Sequence, residues 1–133
     1  MLSLLLGYET LRYAVVDQPH LVDAICEKVT AISVELMRVL ADSAKRSVIW
    51  VSDDLGFRTG TIVSLDFLRA KILPWQTRCA EIARPKDKPY LIQYCGNIDG
   101  IIEELILYVG IDGKHSFEDA MLPVTEVMEA KRR

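Results

Sequence analysis

Cysteine is scarce in this 133-residue sequence: Cys26, Cys79 and Cys95 lie far apart, with no C-x-x-C pair. An odd count at such spacing excludes a disulfide framework and predicts a reducing, cytoplasmic setting. Positive charge is in deficit, with 16 Lys and Arg against 19 Asp and Glu and a net charge of -3. That balance speaks against a nucleic-acid partner, which needs clustered basic residues to displace phosphate counterions. The only basic cluster, Lys131, Arg132 and Arg133, reads as a solvated end that complements a helix dipole. No apolar run approaches the roughly 20 residues that span a bilayer. The opening MLSLLL lacks a basic stretch before it, so it is expected to pack against protein rather than act as a signal or an anchor. Glycine-rich phosphate loops, a G-x-S-x-G elbow and H-E-x-x-H are all missing, which leaves nucleotide binding, serine hydrolysis and zinc proteolysis without a motif.

What is present suits one folded domain. Half the residues are hydrophobic and 26% are charged, and a chain of this size can bury roughly two thirds of its unfolded surface. Over 20–40, Leu21, Ile25, Val29, Ile32, Leu36 and Leu40 recur every three or four positions, which predicts a helix with that row facing the core. Asp17 is placed to cap it and Pro19 to sit in its first turn. A shorter helix is expected over 8–16.

Three strand-then-helix units follow. The run 47–52 is β-branched and aromatic, predicting a strand buried on both faces, ended by Asp53-Asp54-Leu55-Gly56. A loop through 58–61 leads to Ser64, an N-cap, and to a helix over 65–83 that Pro74 should kink or split. A polar turn over 85–89 precedes a strand over 90–95 and a helix over 98–109, with Gly110 as its stop. A weaker strand is expected over 111–115 and a helix over 117–130. An order of α followed by three βα units forces parallel strands with helical crossovers, and in such sheets functional groups gather at the carboxyl ends of the strands. A closed eight-stranded barrel needs about 250 residues, so three strands amount to an arc.

Each strand end carries chemistry. Asp53 and Asp54 face opposite ways and offer a general acid or base, or a polar anchor; turn chemistry explains them equally. Cys95, before Gly96 and Asn97, offers a thiolate for a metal or a nucleophile, or a small buried hydrophobe. His115 with Glu118 and Asp119 offers proton transfer, although Ser116 as a cap with acids in the first turn explains the carboxylates without function. Arg58, Gln93 and Asn97 lie at the same ends as polar groups able to hold a substrate.

VSDDLGFRTGTIVS, the following LDFLRAKILPWQTR, and LIQYCGNIDGIIEELILYVGIDGKHSFED together resemble the uroporphyrinogen decarboxylase superfamily, over nearly the whole chain. The resemblance implies the middle of a (β/α)8 TIM barrel, an α(βα)3 segment whose site opens at the strand ends. It implies catalytic roles for Asp53, Asp54 and His115, and a tetrapyrrole or a corrinoid protein as partner. In methyltransferase members a His-x-Cys pair and a later cysteine bind zinc. Here Gln93 stands in the histidine's place and only Cys95 carries over, which argues against zinc. Corrinoid-linked methyl transfer by a longer parent is the first reading that follows, with uroporphyrinogen decarboxylation the second. In the third, a catalytically silent fragment pairs its exposed sheet edges with another copy or with the missing barrel half.

Overall fold

A computed structural model describes residues 2–116. The helix expected over 117–130, with Glu118 and Asp119, and the basic cluster at 131–133 lie outside the described residues. Three helices open the chain: α1 (Leu2–Leu6), α2 (Tyr8–Asp17) and α3 (Pro19–Asp42). As expected of the opening segment, α1 packs on protein and buries Leu2 and Ser3, although Leu4 and Leu5 stay exposed. Asp17 does not cap α3. It completes the last turn of α2, and Gln18, whose side chain makes no capping bond, is the single residue between the two helices.

Helix α3 meets the core with only part of the expected row. Ile25, Val29 and Leu40 pack against the core partly buried, whereas Leu21, Ile32 and Leu36 are exposed and Val22, Ser33, Met37 and Ala41 are the buried positions. The two rows lie one residue apart, and the buried one carries Ser33 and Ala41, whose small side chains let the backbone come closer to its neighbours.

Strand β1 (Ile49–Asp54) leads into a hairpin of β2 (Gly56–Phe57) and β3 (Gly60–Thr61), where only a loop was expected. Ser64 then caps the next helix, its Oγ accepting the Phe67 N–H at 3.2 Å. That helix runs as α4 (Leu65–Phe67), a π-helical stretch (Leu68–Ile72) and α5 (Leu73–Ala83). The change of winding accommodates Pro74. Proline has no N–H to donate, and the α ladder restarts with Pro74 in the first turn of α5, where that donor is not needed.

Strand β4 (Tyr90–Cys95), α6 (Asp99–Glu104), a second π-helical stretch (Leu105–Val109) and β5 (Gly113–His115) complete the described chain. Gly110 ends the helix as expected: at φ 71° its N–H donates to the Leu105 carbonyl at 3.1 Å.

The sheet has the order β1-β4-β5, with both pairings parallel. Its core face carries Ile49, Val51, Tyr90, Ile92 and Tyr94, packed with Leu68, Ile72, Cys79, Ala80, Ile101 and Leu105 from the helices. Fully burying one such large apolar side chain contributes roughly 1.5–3 kcal/mol. Gln76 is wholly buried in this layer. Its Oε1 accepts from the Tyr90 hydroxyl and its Nε2 donates to the Tyr94 hydroxyl, so the amide is satisfied away from water. Burial drives both phenols well above their usual range and pushes the Cys79 thiol up to about 11.

The opposite face is less covered by the described residues, exposed along β1 and half-buried along β4. β1 is not buried on both sides: Ile49, Val51 and Asp53 are buried, but Trp50 and Ser52 are exposed. No helix among the described residues is long and apolar enough to cross a membrane.

Candidate functional site at the strand ends

Asp54 and Cys95 are register partners at the carboxyl ends of β1 and β4, and directly beyond them two loops press together. The Asn97 N–H donates to the Phe57 carbonyl at 2.8 Å, joining the CGN loop to the hairpin. A Cβ on Gly56 would lie 2.6 Å from the Gly96 carbonyl carbon, and one on Gly96 only 2.2 Å from that of Gly56. Both positions therefore require glycine. The close approach at Gly96 is made by the Gly56 backbone.

The alternation of β1 separates its two carboxylates. Asp53 points to the core side, where it is 8% exposed. Its Oδ1 accepts the Asp54 N–H at 3.0 Å, and its charge adds to the upward shift of Tyr94. Asp53 thus acts as a buried acceptor next to the tyrosine layer. Asp54 lies on the open side, its Oδ2 accepting from the Tyr8 hydroxyl at 3.4 Å.

One row of the open face is formed by Ser52, Gln93 and His115, in register across all three strands. The Ser52 hydroxyl donates to Gln93 Oε1 at 3.0 Å, and Gln93 Nε2 donates to Cys95 Sγ at 3.5 Å. Ser116 Oγ stands 3.6 Å from the same sulfur. His115 packs its ring against Trp50, with centroids 5.1 Å apart and planes tilted by 56°. The contact passes over β4, which lies between their strands.

A cleft of about 920 Å³ opens beside these ends, lined by Tyr8, Arg12, Asp54, Arg58 and Cys95 among others. Three residues singled out from sequence, Asp54, Arg58 and Cys95, therefore share one cavity. His115 and Gln93 lie on the adjoining sheet face. Asn97 serves the fold, its Oδ1 accepting the Asp99 N–H at 3.0 Å where α6 begins. Sequence reasoning missed Tyr8, Arg12, Ser52, Trp50 and Ser116. Tyr8 and Arg12 are four apart on α2, the spacing that stacks side chains on one helix face, and this was the available signal.

Zinc does not fit the donors here. Cys95 is flanked by an amide and a hydroxyl, and no three His, Cys, Asp or Glu side chains converge among the described residues. Comparisons with protein families, with curated proteins and with solved structures find no match for this chain.

Proposed function

We propose that this chain is the middle of an enzyme of the uroporphyrinogen decarboxylase superfamily, an arc of its (β/α)8 barrel whose inner wall is the open sheet face. The observation that carries this reading is the row Ser52, Gln93 and His115, with Asp54 and Cys95 just beyond it, all on the face turned away from the buried core. Doubly wound sheets place helices on both faces, whereas an arc of a barrel covers only its outside. The sheet order β1-β4-β5, in which each strand pairs with the one the next helix leads to, fits the same architecture.

Of the two chemistries in that superfamily, the donor set favours decarboxylation of a carboxylate-bearing tetrapyrrole. Loss of carbon dioxide from an acetate side chain of an electron-rich pyrrole needs a proton on ring carbon, so that the ring cation takes up the electron pair of the breaking C–C bond. A proton then goes to the methylene left behind and the added ring proton is removed, with an anion beside the cation. Asp54 supplies the anion at the strand end and His115 an imidazole for proton exchange. Corrinoid-linked methyl transfer is the second reading, favoured by one contact: the Cys95 sulfur held on the open face by Gln93 Nε2 at 3.5 Å. Among the described residues Trp50 is half exposed and β1 and β5 form the sheet edges, and pairing with a second copy or with the remaining barrel half would cover them.

The test supplies the chain with a polypeptide carrying the remaining barrel strands and assays two reactions. Carbon dioxide released from uroporphyrinogen supports decarboxylation. Methyl transfer from methylcobalamin to an added thiol, without release of carbon dioxide, supports the second reading, and the absence of both reactions would overturn the superfamily assignment.

A further inference from the structure

Four cations of the described residues are paired with a carboxylate. Lys71 meets Asp23 at 2.7 Å, Lys86 meets Asp42 at 2.7 Å, Arg69 meets Glu104 at 2.8 Å, and Arg38 pairs with Glu35. A groove of about 940 Å³ between α3 and α5 sets Arg38, Lys71 and Arg78 among four carboxylates, Asp23, Glu27, Glu35 and Glu81. The cleft at the strand ends is different. Arg12 lines it from α2 and Arg58 from the turn of the hairpin, and neither has a carboxylate partner among the described residues.

Two guanidinium groups facing one cavity repel each other until an anion enters, and in a chain of net charge -3 they are not part of a general basic surface. The guanidinium fork matches the two oxygens of a carboxylate or phosphate, in geometry as well as charge. Arg12 is one turn beyond Tyr8, whose hydroxyl reaches Asp54, so a group held by Arg12 lies close to the reactive strand ends. Asp54 repels an anion, which confines the charged group to the arginine side and turns the rest of the ligand toward Asp54 and Cys95.

We propose that Arg12 and Arg58 together anchor an oxyanion, the carboxylate or phosphate group of a ligand that occupies this cleft. This deepens the function proposed above by naming the group that the site recognises. Anion binding is measured without turnover, so either reading can fail while the other stands.

The experiment titrates the full chain at low ionic strength with succinate and, separately, with inorganic phosphate, followed by calorimetry and by amide chemical shifts around Tyr8, Asp54 and Arg58. Saturable binding of one or both is expected, with a dissociation constant of about 1 mM or tighter. Arg12→Gln and Arg58→Gln should each weaken it at least about fivefold. Asp54→Asn should tighten it, and Arg46→Gln, an exposed cation elsewhere, should leave it unchanged. Because Arg12 and Arg58 are exposed, loss of binding does not reflect misfolding, and circular dichroism of each variant checks this. Preference for succinate assigns a carboxylate ligand, and preference for phosphate a phosphoryl one. If neither anion binds, or if Arg46→Gln weakens binding as much as the cleft variants do, the site is overturned.

Discussion

Gly56 and Gly96 meet backbone to backbone, so closely that a methyl group on either would fall 2.6 Å or 2.2 Å from the other's carbonyl carbon. This contact locks the hairpin after β1 to the loop after β4, and so sets the mouth of the cleft between Asp54 and Cys95.

The glycine contact predicts an asymmetry among alanine variants. Gly96→Ala combines a positive φ of 77° with a backbone collision and should cost about 2–4 kcal/mol. Gly7→Ala has the same sign of φ, at 76°, and open space around its Cβ, so only the conformational cost of about 1–2 kcal/mol applies. Urea unfolding of both variants measures the difference. Equal losses would mean that the two loops are not in contact.

The buried amide makes a second prediction. Gln76→Leu leaves the hydroxyls of Tyr90 and Tyr94 without their partner in the core, each unsatisfied group costing about 1–3 kcal/mol. Adding Tyr90→Phe and Tyr94→Phe to Gln76→Leu should restore much of the lost stability, because apolar groups then face one another. Denaturant midpoints of the single and triple variants test this, and a triple variant weaker than the single would contradict it.

Alkaline pH should destabilise the fold. Burial raises the Cys79 thiol from its ordinary value to about 11, the neighbouring polar groups of Tyr90 and Trp75 opposing the shift only in part. Between the ordinary thiol range near pH 9 and pH 11 the unfolded chain gives up the proton while the folded chain keeps it. Folded stability is therefore complete below that window and falls as pH rises through it. Tyr90 and Tyr94, raised chiefly by desolvation, extend the loss to higher pH. Denaturation midpoints measured across the window should fall steadily, and Cys79→Ala should flatten the lower part of the curve.

Association offers a fourth test. Trp50 is 52% exposed on the open face, a setting that favours burial against protein. Light scattering of the full chain should show species larger than a monomer, and Trp50→Lys should shift them toward the monomer. A strictly monomeric wild-type chain would count against pairing through this face.

Much of the fold was legible because its signals are local. Ser64, Pro74 and Gly110 each act through their own backbone, and each does what its residue type predicts. The strand over 90–95 stood out as a short apolar run bounded by polar turns, and the one expected over 47–52 lies two residues further on, at Ile49–Asp54. Burial was not legible, because Ile49-Trp50-Val51-Ser52 reads alike whether one face or two are covered, and only the placement of the helices decides. The facing of α3 was hidden for a related reason: Leu21, Ile32 and Leu36 are as apolar as the core needs, but Ser33 and Ala41 are smaller. Asp17 could serve α2 or α3, and the length of α2 settled which. In the site, Asp54, Arg58 and Cys95 announced themselves by residue type at strand ends, whereas Tyr8 and Arg12 reach the same cleft from a helix more than 40 positions away, as the Tyr8–Asp54 pair shows.

The pair Asp53 and Asp54 gives the sharpest measurement, since neighbours in sequence lie on opposite faces of one strand. On the proposed function, the chain is supplied with a polypeptide carrying the remaining strands of the proposed barrel, and turnover of uroporphyrinogen and urea stability are measured for Asp53→Asn and Asp54→Asn. Asp54→Asn should lower turnover by about 100-fold or more with stability nearly unchanged. Asp53→Asn should lower stability by about 1–3 kcal/mol while the folded enzyme keeps most of its rate. Full activity in Asp54→Asn together with an inactive but stable Asp53→Asn would place the chemistry on the helix-covered side and contradict the open face as the working surface.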